Sequence, residues 1–87
     1  MSSTHSASTS SLRSLVSLPE GARGVVVDVL AQSDLRADRL MALGVTPGAR
    51  IEVLQTFPGI VFLCDQTELA VERDVAAAIL VREEVRR

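Results

Sequence analysis

The chain has 87 residues and a formal net charge of −2, and all of its positive charge comes from arginine. That length allows one domain, and a neutral-to-acidic surface lacks the basic stripe that phosphate backbones need, which argues against nucleic-acid binding. Apolar residues make up 47% of the chain, yet Trp and Tyr are absent and only Phe57 and Phe62 are aromatic. The core must therefore be built from Val, Leu, Ile and Ala.

Residues 1–11, MSSTHSASTSS, are small and polar. Such a segment cannot bury enough surface to offset its ordering entropy, so it is expected to be a disordered tail. The domain is expected to span residues 12–82, followed by a frayed charged tail at 83–87. Leu15 or Leu18 is expected to plug one end of the fold before the turn cluster Pro19-Glu20-Gly21. The β-branched run Val25 to Val29 reads as a strand. With Asp28 facing water, Val25, Val27 and Val29 would share the inner face. Leu30 breaks the alternation, which points to a bulge near the strand end.

Ser33 to Gly44 reads as a helix. Ser33 or Asp34 can cap its start, Leu35, Leu40 and Leu43 fall at helical spacing, and Arg36, Asp38 and Arg39 fall on the wet side. Gly44 is placed for the left-handed position just after a helix, Val45 follows as a contact back to the last turn, and Pro47 forbids continuation. Thr46-Pro47-Gly48-Ala49 then has the form of a type II turn. Arg50 to Gln55 follows as a strand with Ile51 and Val53 inward.

Phe57-Pro58-Gly59 reads as a second turn of the same grammar. It leads into Ile60 to Cys64, which is apolar on both faces and so central. Asp65-Gln66-Thr67 turns the chain into Glu68 to Glu72, with Leu69 and Val71 inward. Asp74 can cap a helical turn over residues 75–78, and Ile79-Leu80-Val81 is a last short strand. About five short strands with one helix between the first and second make a mainly β fold, closed into a small barrel so that no edge stays exposed.

Chemistry is sparse. His5 stands alone in the polar tail, with no ligand spacing around it, and reads as a tail residue. Cys64 has no second Cys or His near it in sequence and reads as a small buried hydrophobe. One cysteine rules out an internal disulfide and fits a reducing compartment. Glu68, Glu72 and Asp74 read as a solvated face and not as a hard-metal site. No base stands beside a nucleophile and no Gly-rich phosphate loop is present, so the chain is read as no enzyme, with no cofactor and no metal site. No run approaches the ~20 apolar residues of a membrane span, and the N-terminus lacks a basic-then-apolar leader. The expected location is cytoplasmic, without direct membrane insertion.

Leu40 through Val53, with Arg39-Leu40, Leu43-Gly44-Val45, Pro47-Gly48, Ile51 and Val53 in place, resembles the FeoA family of small ferrous-iron transport accessory proteins. Leu69-Ala70-Val71, then Asp74, Ala76 and Ile79-Leu80-Val81, are similar to that family's closing strand, helical turn and strand. The resemblance covers residues 15–82 and implies an SH3-like barrel. It also implies a non-catalytic partner for the cytosolic domain of a membrane ferrous-iron transporter, where any GTP chemistry would reside. On this reading the partner-binding residues are Arg36, Arg39, Leu40, Met41, Leu43, Gly44, Val45, Pro47 and Gly48. The chain departs from the family's often basic character by lacking lysine. The alternative is an SH3-like regulatory module for another protein or peptide, unconnected with iron.

Overall fold

A computed structural model describes residues 10–30 and 34–84. Short β-rich runs broken by turn residues give six antiparallel strands: β1 (Ser10–Ser14), β2 (Arg23–Val29), β3 (Arg50–Gln55), β4 (Ile60–Cys64), β5 (Thr67–Val71) and β6 (Ile79–Glu84). Helix α1 (Asp34–Ala42) lies between β2 and β3, and a single turn, α2 (Arg73–Ala76), lies between β5 and β6. The mainly β architecture and the helix between the first and second predicted strands are as expected. Of the tail predicted to be disordered at residues 1–11, residues 1–9 lie outside the described residues, as do the cap at Ser33 and the side chains of Asp34 and Leu35, while Ser10 and Ser11 are corrected to the start of β1.

Strand β1 was not expected. Its sequence, SSLRS, has one apolar residue, Leu12, which stays 60% exposed. It has no inward periodicity to read, and it exists because β6 offers it a full antiparallel partner, from Ser10↔Glu84 to Ser14↔Leu80. The same pairing carries β6 to Glu84, into the stretch expected to fray.

The hydrogen-bonded order is β1-β6-β2-β3-β4-β5. The expected complete closure is therefore corrected: β1 and β5 end the sheet, and no ladder joins them among the described residues. The sheet still curls, because inner residues of β2, β3, β4 and β6 meet in one core. Val26, Ile51, Val53, Ile60, Phe62, Ile79 and Val81 line it, and Leu15 and Leu18 are buried in the same cluster. Phe62, fully buried, is the largest of these side chains.

The phase of β2 is a second correction. Gly24 and Val26 face inward, and Val25 and Val27 are only half-buried. A register shift between Val26 and Asp28 then turns Asp28 to water and Val29 back onto the core. The bulge was legible, but it falls inside the strand and reverses the alternation read from the valine run. A third correction concerns Asp74. The N-cap position of α2 is Glu72, and Asp74 sits within the first turn, where its Oδ1 accepts the Val75 N–H at 3.0 Å.

Candidate functional site

The exit of α1 is built almost entirely by backbone bonds that its sequence makes possible. The Val45 N–H donates to the Leu40 carbonyl at 2.9 Å and the Gly44 N–H to the Met41 carbonyl at 3.0 Å. This is the Schellman pattern, and it requires the left-handed conformation that Gly44 adopts at φ +99°. The Ala49 N–H then donates to the Thr46 carbonyl at 3.0 Å across a turn whose third residue, Gly48, has φ +96°. The predicted type II turn is present.

The sheet clamps this joint from two sides. Gly48 donates to the Val26 carbonyl at 2.8 Å, and the Val26 N–H returns to the Ala49 carbonyl at 2.8 Å. From β4, the Cys64 Sγ–H donates to the Gly44 carbonyl at 3.3 Å. Cys64 is free and 3% exposed, as its reading as a buried hydrophobe required. Burial pushes its thiol pKa up, and the neighbouring Asp65 carboxylate pushes it further. The thiol is thus protonated at neutral pH and available as the donor to Gly44.

The nine predicted binding residues divide into two groups. Leu40 and Val45 are buried at 4% and 0%; they belong to the core and hold the joint. Met41 and Leu43 are 54% and 51% exposed, beside exposed Gly44, Pro47 and Gly48. Leu43, which helical spacing grouped with Leu40 on the apolar side of the helix, does not share its burial. After Leu40 the chain turns through the Schellman loop, and Val45 takes the inward place that helical spacing assigned to Leu43. Arg36 and Arg39 are exposed on the helix, and Arg36 meets Asp74 of α2 at 3.8 Å.

Beside the helix lies an open groove of about 340 Å³. Arg36, Arg39, Leu40 and Leu43 form one wall, and Ala70, Val71, Glu72 and Val75 form the other. The second wall was not legible in the sequence: it arises where β5 and α2 face α1 across the groove, and no local pattern marks it. Elsewhere, Phe57 at the β3–β4 turn is 80% exposed. With Phe62 buried, no pair of aromatics forms a stacking platform.

Among the described residues no group of three His, Cys, Asp or Glu side chains is arranged to hold a metal. No buried side chain among them is polar or charged, and no described helix is long and apolar enough to cross a membrane.

The model of the FeoA domain family matches residues 13–83. The chain belongs to the FeoA family. Among solved structures, it is similar to an iron uptake regulatory protein, FeoA, at 28% identity and a TM-score of 0.76, covering 84% of this chain and 99% of that one. It is similar to FeoA of Chlorobium tepidum at 35% identity and a TM-score of 0.71, covering 78% and 67%. A third relative is the zinc complex of Stenotrophomonas maltophilia FeoA, described as a prokaryotic SH3 domain protein, at 25% identity, a TM-score of 0.69, and 77% and 86% coverage. No curated protein matches the chain. The predicted family and the SH3-like character of the fold are thereby borne out.

Proposed function

We propose that this FeoA-family chain is a non-catalytic module that binds the cytosolic part of a ferrous-iron transporter carrying a GTP-binding domain and regulates it. The observation that carries this reading is the exposed pair Met41 and Leu43 on a joint whose backbone is held by the bonds described above. Apolar side chains kept in water on a rigid support lose little entropy when a partner covers them. Arg36 and Arg39 frame the pair, and arginine is enriched at interfaces. Iron enters through the family, whose relatives include an iron uptake regulatory protein. The module would act in the cytoplasm, on the transporter's soluble face.

The test is a calorimetric titration of the chain with the transporter's isolated GTP-binding domain. Saturable binding that weakens at least about tenfold in Met41→Asp with Leu43→Asp is the expected result. No association at high micromolar concentration, with both proteins folded, would reject the reading.

A further inference from the structure

The sheet ends at β5, and that edge has a definite hydrogen-bonding face. The two-residue turn Asp65-Gln66 closes on the pair Cys64↔Thr67, and the register continues through Leu63↔Glu68, Phe62↔Leu69, Val61↔Ala70 and Ile60↔Val71. In a hairpin closed this way the pairs flanking the turn are hydrogen-bonded and alternate with pairs that are not. Thr67, Leu69 and Val71 therefore spend their backbone groups on β4. The N–H and C=O groups of Glu68 and Ala70 point the other way, and no backbone group among the described residues meets them. Ala70 also lines the groove beside α1.

The side chains around this edge specify what would fit. Leu69 and Val71 turn toward the core yet remain only half-buried, because no strand covers them on that side. Leu43 and Val75 continue the apolar surface across the groove. Glu68 is exposed on the opposite face of β5, and Glu72, exposed just past the strand end, stands at the rim of the groove. Arg39 stands on the helix wall, so a positive residue of an incoming strand is favoured beside Glu68 and Glu72 and disfavoured beside Arg39.

We infer that β5 is an acceptor edge for an extended peptide segment in which apolar and basic residues alternate. The segment adds as a seventh strand, its main chain bonded to Glu68 and Ala70. Its apolar side chains cover Leu69 and Val71, and its basic side chains lie opposite Glu68 and Glu72. This surface meets the Met41–Leu43 patch at Leu43, but its main-chain bonds are made by β5 alone and do not depend on the partner proposed for that patch.

The experiment uses the full chain, labelled with nitrogen-15, and the synthetic peptide Val-Arg-Val-Arg-Val-Arg. Binding is expected to slow the amide exchange of Glu68 and Ala70. It is expected to weaken roughly tenfold for Val-Glu-Val-Glu-Val-Glu and to vanish when alternate peptide nitrogens are methylated. The double variant Glu68→Arg with Glu72→Arg should reverse the preference between the two peptides. Neither carboxylate supports the fold, since both are exposed and the α2 cap makes no side-chain bond. Equal binding by the methylated peptide would overturn the inference, as would protection mapping to other strands. Concentration-dependent protection of the same amides without peptide would also overturn it, because a second copy would then occupy the edge.

Discussion

Two Pro-Gly pairs, eleven residues apart, look alike in the sequence and behave differently in the fold. At Pro47-Gly48 the glycine is left-handed, the turn is closed by its own backbone bond, and β2 and β4 hold the surrounding joint. At Pro58-Gly59 the preceding peptide is cis and the glycine has no positive φ. The expectation of one repeated turn is corrected there. That loop is held instead by side chains reaching its carbonyls: the Gln55 amide to Phe57 at 3.0 Å and the Arg73 guanidinium to Thr56 at 2.7 Å. The first pair redirects a helix into a sheet whose position is already set. The second joins two strands whose ladder shifts register between Val53 and Gln55, leaving Leu54 as an extra residue of β3 just before the loop. A dipeptide offers a conformation, and what lies on either side of it decides whether the offer is taken.

The largest effect that would sharpen this comparison lies at the anchor of the first joint. Leu40→Ala should cost about 3 kcal/mol in urea unfolding, because it empties buried volume beneath α1. Leu43→Ala, on the exposed side of the same exit, should stay within about 0.5 kcal/mol. Equal losses would mean that the division into core and surface residues is wrong.

Gly48→Ala comes next. A Cβ there would meet nothing within 4 Å, so its cost is the left-handed backbone alone, about 1–2 kcal/mol. D-alanine at the same position, introduced by chemical synthesis, should instead match or slightly exceed the parent's stability, since it favours positive φ and restricts the unfolded chain. Destabilisation by both enantiomers would show that space, and not φ, sets the requirement.

A smaller effect concerns Cys64. Its folded pKa lies above the ordinary value of 9.0, so its contribution to stability is complete below pH 9.0 and declines as pH rises through the raised folded value. Unfolding free energy measured from pH 8 upward should fall more steeply in the parent than in Cys64→Ala. Identical slopes would show that the thiol bonded to Gly44 does not titrate with folding.

The smallest effect is expected at the second loop. Phe57→Ala removes an 80% exposed ring and should move the melting free energy by less than about 0.5 kcal/mol. A larger loss would mean that the ring supports the β3–β4 connection after all.

Much of this was legible along the chain, and particular residues explain the limits. The helix stop at Gly44 and the turn at Pro47-Gly48 could be read because each depends on the φ that one residue prefers. The inward sides of Ile51 and Val53 followed from alternation, and the central place of Ile60 to Cys64 from continuous apolarity. β1 escaped because an edge strand needs no pattern when its neighbour provides the pairing. Leu43 was misplaced because a periodicity drawn past the end of a helix no longer describes the chain. Of the nine residues expected to bind a partner, Met41 and Pro47 are exposed. The burial of Val45 and the far wall at Ala70 and Val75 were not foreseen.

By itself the sequence determined the local conformations: where strands run, where the helix ends, and which turn brings the chain back. Those choices are governed by short-range sterics and backbone bonding, which act between residues near one another along the chain. Only the tertiary structure decided which apolar side chains remain in water, which strand edge stays open, and how two like turns diverge. Each of these depends on what approaches from a distant part of the chain, and burial is a property of that meeting.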